Sequence, residues 1–108
     1  MKDDSIYIDH ILNSINRIID YTSGKDRVSF EADLVTQDAV VRQLEIIGEV
    51  TKRVSKEFRS KHPDIPWSDM AGMRDVLIHD YIDVDFGVVW KTASEDIPNL
   101  KIHFLKLR

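Results

Sequence analysis

The stretch Met73-Arg74-Asp75-Val76-Leu77-Ile78-His79-Asp80-Tyr81 brings a guanidinium, an imidazole and a phenol together inside an apolar framework. Val76, Leu77 and Ile78 require the segment to pack against something, so its polar groups are held rather than loose in solvent. A histidine, with an ordinary pKa of about 6.5, gives or takes a proton near neutral pH. An arginine offers a fixed fork of donors to a phosphate whose charge rises in the transition state. Arg74 and His79 together suit metal-free RNA cleavage, in which the neighbouring 2′-hydroxyl attacks phosphorus and the substrate brings its own nucleophile. The same pair near a helix end also suits a salt bridge and a cap, and spacing alone leaves both readings open.

At about 100° per residue, Arg74 and Tyr81 share one helix face, whereas His79 lies about 140° round from Arg74. The three converge within one subunit only if the helix loosens near His79. Otherwise a second subunit must supply part of the site.

Other chemistries drop out. There is no cysteine, which excludes disulfides and thiolate nucleophiles and is compatible with a reducing compartment. His10, His62, His79 and His103 show no ligand spacing, and no metal or cofactor is expected. Asp80, Asp83 and Asp85 could form an acidic cage, but they read more simply as caps between two helices. Neither a glycine-rich phosphate loop nor a Gly-x-Ser-x-Gly elbow occurs.

A net charge of −4 argues against binding nucleic acid through the whole surface. Charge is uneven, however: Lys52, Arg53, Lys56, Arg59 and Lys61 stand against a single acid, Glu57. That run is either the solvated face of an amphipathic helix or a phosphate-facing patch. The apolar runs are too short for a membrane span, and no hydrophobic signal region follows Met-Lys-Asp-Asp-Ser. A cytoplasmic location is expected.

Four main helices must position these residues. Ser5 is expected to cap a first helix to about Tyr21, with Ile8, Leu12, Ile15 and Ile19 along its seam, widened by Ile11 and Ile18. Gly24 stops it, and Asp26 to Leu34 holds a short helical turn anchored by Phe30. Thr36 or Asp33 opens the longest element, which the rhythm Val40, Leu44, Ile47, Val54, Phe58 carries unbroken to Arg59 or Ser60. Such a helix would span about 37 Å. Gly48 in its seam fits the gap left for a crossing helix. A two-proline connector, Lys61 to Pro66, follows.

Ser68 is expected to cap a third helix through Met70, Met73, Leu77 and Ile78, ending around Asp80. Asp83 or Asp85 starts the fourth, whose seam is Phe86, Trp90, Ala93, Ile97, Leu100, Phe104 and Leu107. Pro98 must kink or break it, because proline cannot donate to the carbonyl of Ser94. No stretch alternates with period two long enough for a strand. The expected fold is one all-α domain over 1–108, an antiparallel bundle of four main helices plus short helical turns. The seams are more apolar than one such bundle needs to hide, so a homodimer is expected.

Arg74-x4-His79-x-Tyr81 resembles the signature of the HEPN superfamily, in the form carried by HepT-like toxins of toxin–antitoxin pairs. The surroundings are similar in order and spacing: Asp38-Ala39-Val40 with Arg42, Ile47-Gly48-Glu49, His62-Pro63 with Ile65-Pro66-Trp67, Gly72-Met73-Arg74-Asp75, His79-Asp80-Tyr81, and Asp96-Ile97-Pro98 with Leu100. The resemblance covers essentially the whole chain. It implies a HEPN-like bundle that dimerises with the two signatures near the dimer cleft, and a metal-independent ribonuclease acting on tRNA or mRNA through Arg74 and His79. It also implies a partner, a minimal nucleotidyltransferase antitoxin that silences the toxin by placing AMP on Tyr81. An adenylyl group there would add bulk and negative charge beside Arg74. Asp75 and Asp80 could orient the pair, or could be surface acids and caps. Glu49 reads as an exposed acid facing Arg53, or as a buried partner of Arg74. With RNA as substrate, Lys52, Arg53, Lys56 and Arg59 become candidate contacts. The alternative is a helical module that docks the nucleotidyltransferase without cutting RNA.

Overall fold

The computed structural model describes residues 3–78 and 85–107, and for 74–78 it describes the backbone alone. The helices are α1 (Ser5–Thr22), α2 (Arg27–Glu31), α3 (Leu34–Thr51), α4 (Lys56–Lys61), α5 (Trp67–Ile78), α6 (Phe86–Lys91) and α7 (Ile97–Leu105). A π-helical turn, Thr92–Asp96, joins α6 to α7. Among the described residues there is no strand. The all-α expectation holds. α3 packs against both α1 and α5, and α7 lies along α1.

The α1 seam is buried at Ile8, Ile11, Leu12, Ile15 and Ile18. Ser5 is not its cap. It is the first helical residue, and its N–H is taken by the Asp3 carboxylate at 3.0 Å. At the other end Gly24, at φ +74°, makes the left-handed turn that a side chain would resist. α2 is secured by reciprocal bonds between Asp26 and Ser29 and by Phe30, which is fully buried. Gln37, on α3, donates from a buried amide to the Phe30 and Glu31 carbonyls at 2.8 and 2.7 Å. Asp33 caps α3 through Thr36 and is met by Lys25 at 2.9 Å. The ammonium and then the Thr36 bonds hold the Asp33 carboxyl well below its ordinary range.

The longest expected helix is two helices. α3 ends at Thr51, and α4 begins only at Lys56. Ser55 is extended, at φ −65° and ψ 151°, and its hydroxyl caps α4 by accepting from the Phe58 N–H at 3.1 Å. Asp4 then fixes the corner, accepting from the Ser55 N–H at 2.9 Å and its hydroxyl at 2.7 Å. Apolar rhythm continues through the corner because Val54 and Phe58 still face the core. A capping serine paired with a carboxylate from the chain start outweighs that rhythm. The pair also shows that α1 and α3 run antiparallel, the start of one meeting the end of the other. Asp4→Ala is expected to cost about 1–2 kcal/mol, a charged hydrogen-bond pair at a half-buried site. Thermal unfolding and hydrogen exchange at the Ser55 amide would measure it.

Two further expectations are refined. Ser68 does not cap α5; the helix opens one residue earlier, with the Met70 N–H bonded to the Pro66 carbonyl at 3.0 Å. Asp85 caps α6 by accepting from Gly87 and Val88, while Asp83 lies outside the described residues. The break expected at Pro98 is the π-helical turn just before it, in which the Ile97 N–H reaches five residues back to the Thr92 carbonyl. A wide turn accommodates the residue whose missing donor would leave an ordinary helix short of a bond. The buried seam follows suit, with two successive steps of four from Val89 to Ala93 to Ile97, then Leu100 and Phe104.

Candidate nucleic-acid interface

Arg74 and Asp75 lie on α5, whose backbone is helical through Ile78. Their side chains, and His79, Asp80 and Tyr81 entirely, fall outside the described residues. What the structure gives is the platform beneath them. Met70 is fully buried and Met73 packs against the core. The start of α5 is clamped by an aromatic chain. Phe58 on α4 lies 4.6 Å from the His62 ring and 6.2 Å from Trp67, which meets Phe104 of α7 edge-on at 5.8 Å. The Trp67 indole N–H donates to the His62 carbonyl at 2.9 Å. The two-proline connector is thus closed onto the bundle, and this fixes the direction in which α5 carries Arg74.

The basic run gathers at the corner between α3 and α4. Lys52, Arg53 and Lys56 are exposed, and among the described residues none of them, nor Arg59, is in an ion pair. Lys61 differs, lying 3.3 Å from Glu57. Arg59 is half-buried, and its Nε is sealed from solvent without a partner. Unpaired cations in a chain of net charge −4 are a place where phosphate can bind without first breaking a bridge.

Arg53, in the turn after α3, joins Ile46 and Val50 of α3 in a ridge that separates two hollows. One, of about 380 Å³, is walled by Arg42, Glu45 and the half-buried Glu49. The other, of about 510 Å³, opens between α3 and α1 beside Tyr7, His10 and Arg17. A third hollow of about 350 Å³ lies between α5 and α7 and carries Asp64, Asp69 and Asp96 over Met70 and Met73. Its carboxylates repel phosphate. Sequence reasoning passed over the α1 residues because attention rested on the apolar seam. Their signal was a second stripe, Tyr7, His10, Ser14, Arg17, at the same helical spacing.

Among the described residues no group of histidines and acids could hold a metal, and no helix is long and apolar enough to cross a membrane.

A family model described as "Ribonuclease HepT-like" matches residues 11–107. A Thermococcus cleftensis protein named as a probable ribonuclease HepT is 49% identical over 94% of this chain and 93% of its own length. A Methanocaldococcus jannaschii protein, named as a gamma-glutamylcyclotransferase and provisional RNase, is 47% identical over 98% of this chain. The chain spans 48% of that longer relative. A provisional RNase of Caldanaerobacter subterraneus is 44% identical over 94% of this chain and 90% of its own. No solved structure matches at a significant level. With the match running from the middle of α1 to the end of the last helix, the chain belongs to the HepT-like ribonuclease family of the HEPN superfamily.

Proposed function

We propose that this chain is a metal-independent endoribonuclease, the toxin of a toxin–antitoxin pair, in which Arg74 and His79 do the chemistry. The observation that carries this is the ribonuclease family match across residues 11–107, which includes the whole Arg74-x4-His79-x-Tyr81 signature. His79 takes the proton of the 2′-hydroxyl, whose oxygen attacks phosphorus. The bond to the 5′-oxygen breaks and that oxygen is protonated, leaving a 2′,3′-cyclic phosphate and a 5′-hydroxyl. Arg74 meets the negative charge that builds on the phosphate oxygens. Asp75 and Asp80 orient the pair. Lys52, Arg53, Lys56 and Arg59 hold the backbone of a tRNA or mRNA substrate, and their lack of an ion pair among the described residues supports that role.

Two copies form the working unit. Support comes from large apolar side chains that stay exposed on the single chain, among them Leu34, Val35 and Ile102. The pairing would also answer the angular separation of Arg74 from His79. Control comes from a minimal nucleotidyltransferase that places AMP on Tyr81 in the cytoplasm.

The test is intact mass of the protein expressed alone and with the neighbouring nucleotidyltransferase, with cleavage of bulk tRNA and mRNA assayed on both, in chelator. Cleavage by the first sample, and loss of cleavage with an AMP mass gain on Tyr81 in the second, is expected. No cleavage and no modification in either sample would move the reading to a docking module for the nucleotidyltransferase.

A further inference from the structure

We propose that the groove between α1 and α3 is a binding track for single-stranded RNA, separate from the residues that do the chemistry. The proposal rests on the ribonuclease reading and names where the unpaired strand runs. Two lines of residues face each other there, Tyr7, His10, Ser14 and Arg17 on α1 and Gln43, Ile46 and Val50 on α3, continued by Arg53 in the turn beyond the end of α3. The α1 residues recur at three-four-three spacing and the α3 residues at three-four, so the groove runs along α1 for nearly three turns and along α3 for about two.

Its charge is the first reason. The lining holds two arginines and a histidine and no carboxylate, in a chain whose acids outnumber its bases, 19 against 15. Among the described residues neither Arg17 nor Arg53 has an ion-pair partner. The second reason is independent of charge. Ser14 and Gln43 are only 4% and 6% exposed, yet among the described residues neither side chain finds a hydrogen-bond partner. Nor are their polar atoms among those sealed from solvent without a partner, so they open on the groove. Open to the groove, this amide and hydroxyl are completed by water in the free protein and can exchange it for a ligand's donors and acceptors. Base edges and ribose hydroxyls carry the matching donors and acceptors. The third reason is Tyr7, a half-buried ring on the groove wall, which offers a face for base stacking beside cations spaced for phosphates. A duplex has its bases already paired and stacked. An unpaired strand is the occupant that uses all three features. Arg53 belongs both to this groove and to the basic corner, so the track leads directly onto Lys52 and Lys56.

The experiment reads binding without cleavage. Fluorescence anisotropy of a labelled twelve-nucleotide single-stranded RNA is measured on full-length His79→Ala protein, so that failure of the catalytic reading leaves this result intact. Adding Arg17→Ala is expected to weaken binding about tenfold and to flatten its salt dependence. Adding Gln43→Leu is expected to weaken it several-fold at unchanged salt slope. Lys91→Ala, an exposed cation on α6 away from the groove, controls for general charge. Equal weakening by Lys91→Ala and Arg17→Ala would overturn the proposal, as would equal affinity for duplex and single strand. A switch from dimer to monomer on Arg17→Ala, read by light scattering, would also overturn it, in favour of a second copy covering the groove.

Discussion

His79→Ala is expected to slow RNA cleavage by roughly 10²–10⁴-fold, the usual worth of a positioned proton-transfer group. The loss should fall on the rate of the chemical step rather than on affinity. Single-turnover cleavage of a labelled RNA separates the two, because it reads chemistry once binding is saturated. The unsubstituted protein should also show a rate that changes with pH as the imidazole takes up its proton, and the variant should lose that inflection. Arg74 gives a matching contrast. Arg74→Lys keeps the positive charge but not the planar fork, so it should recover only a small part of what Arg74→Ala loses. Undiminished cleavage by His79→Ala would remove the imidazole from the mechanism. Similar melting temperatures for the variant and its parent would establish that the loss is chemical.

The largest effect on stability is expected at Phe104. Its ring is fully buried and stands edge-on to Trp67 at 5.8 Å. Phe104→Ala removes a large apolar side chain from a buried site on α7, which packs along α1 and meets Trp67 at the start of α5, and should cost about 3–5 kcal/mol. For a domain of this size that lowers the melting temperature by on the order of 15–25 °C. The damage should reach the chemistry too. Trp67 leans on Phe104 and opens α5, the helix that carries Arg74 seven residues on. Cleavage at a temperature where the variant is still folded should therefore fall by more than the unfolded fraction explains. A loss of stability below 1 kcal/mol would mean the site collapses without a cavity, and the clamp on α5 lies elsewhere.

Seams were the most legible part of the fold. Ile8, Ile11, Leu12, Ile15 and Ile18 on α1, and Ala93, Ile97, Leu100 and Phe104 in the last helix, are buried as their spacing predicts. Phe30 anchors its short turn and Gly24 ends α1 for reasons visible in the residue types alone. The corner at Ser55 was illegible because its cause is distant: the carboxylate that fixes it belongs to Asp4, 51 residues away. Local pattern favoured one helix, and a long-range bond made two. Pro98 announced a disturbance but not its form, since a kink, a break and a wide turn all satisfy a missing donor. In the candidate interface, the basic run was legible as a run. That Lys61 is engaged by Glu57, while Lys52, Arg53 and Lys56 have no ion pair among the described residues, depends on how the chain turns between α3 and α4. The α1 stripe was present in the sequence, yet nothing in α1 alone says that Gln43 and Arg53 stand opposite it.

The two tryptophans occupy opposite ends of a molecule about 45 Å long. Trp67 stands with Phe58 and Phe104 at the end where Asp4 meets Ser55, while Trp90 lies 5.2 Å from Phe30 at the end where α2 turns into α3. Trp67 is 7% exposed and Trp90 is only half-buried, so the first should emit at shorter wavelength than the second. The protein thus carries two built-in fluorophores of different colour. In single-tryptophan variants, each would report whether its own end of the bundle loosens first on heating, and which end responds when RNA is added.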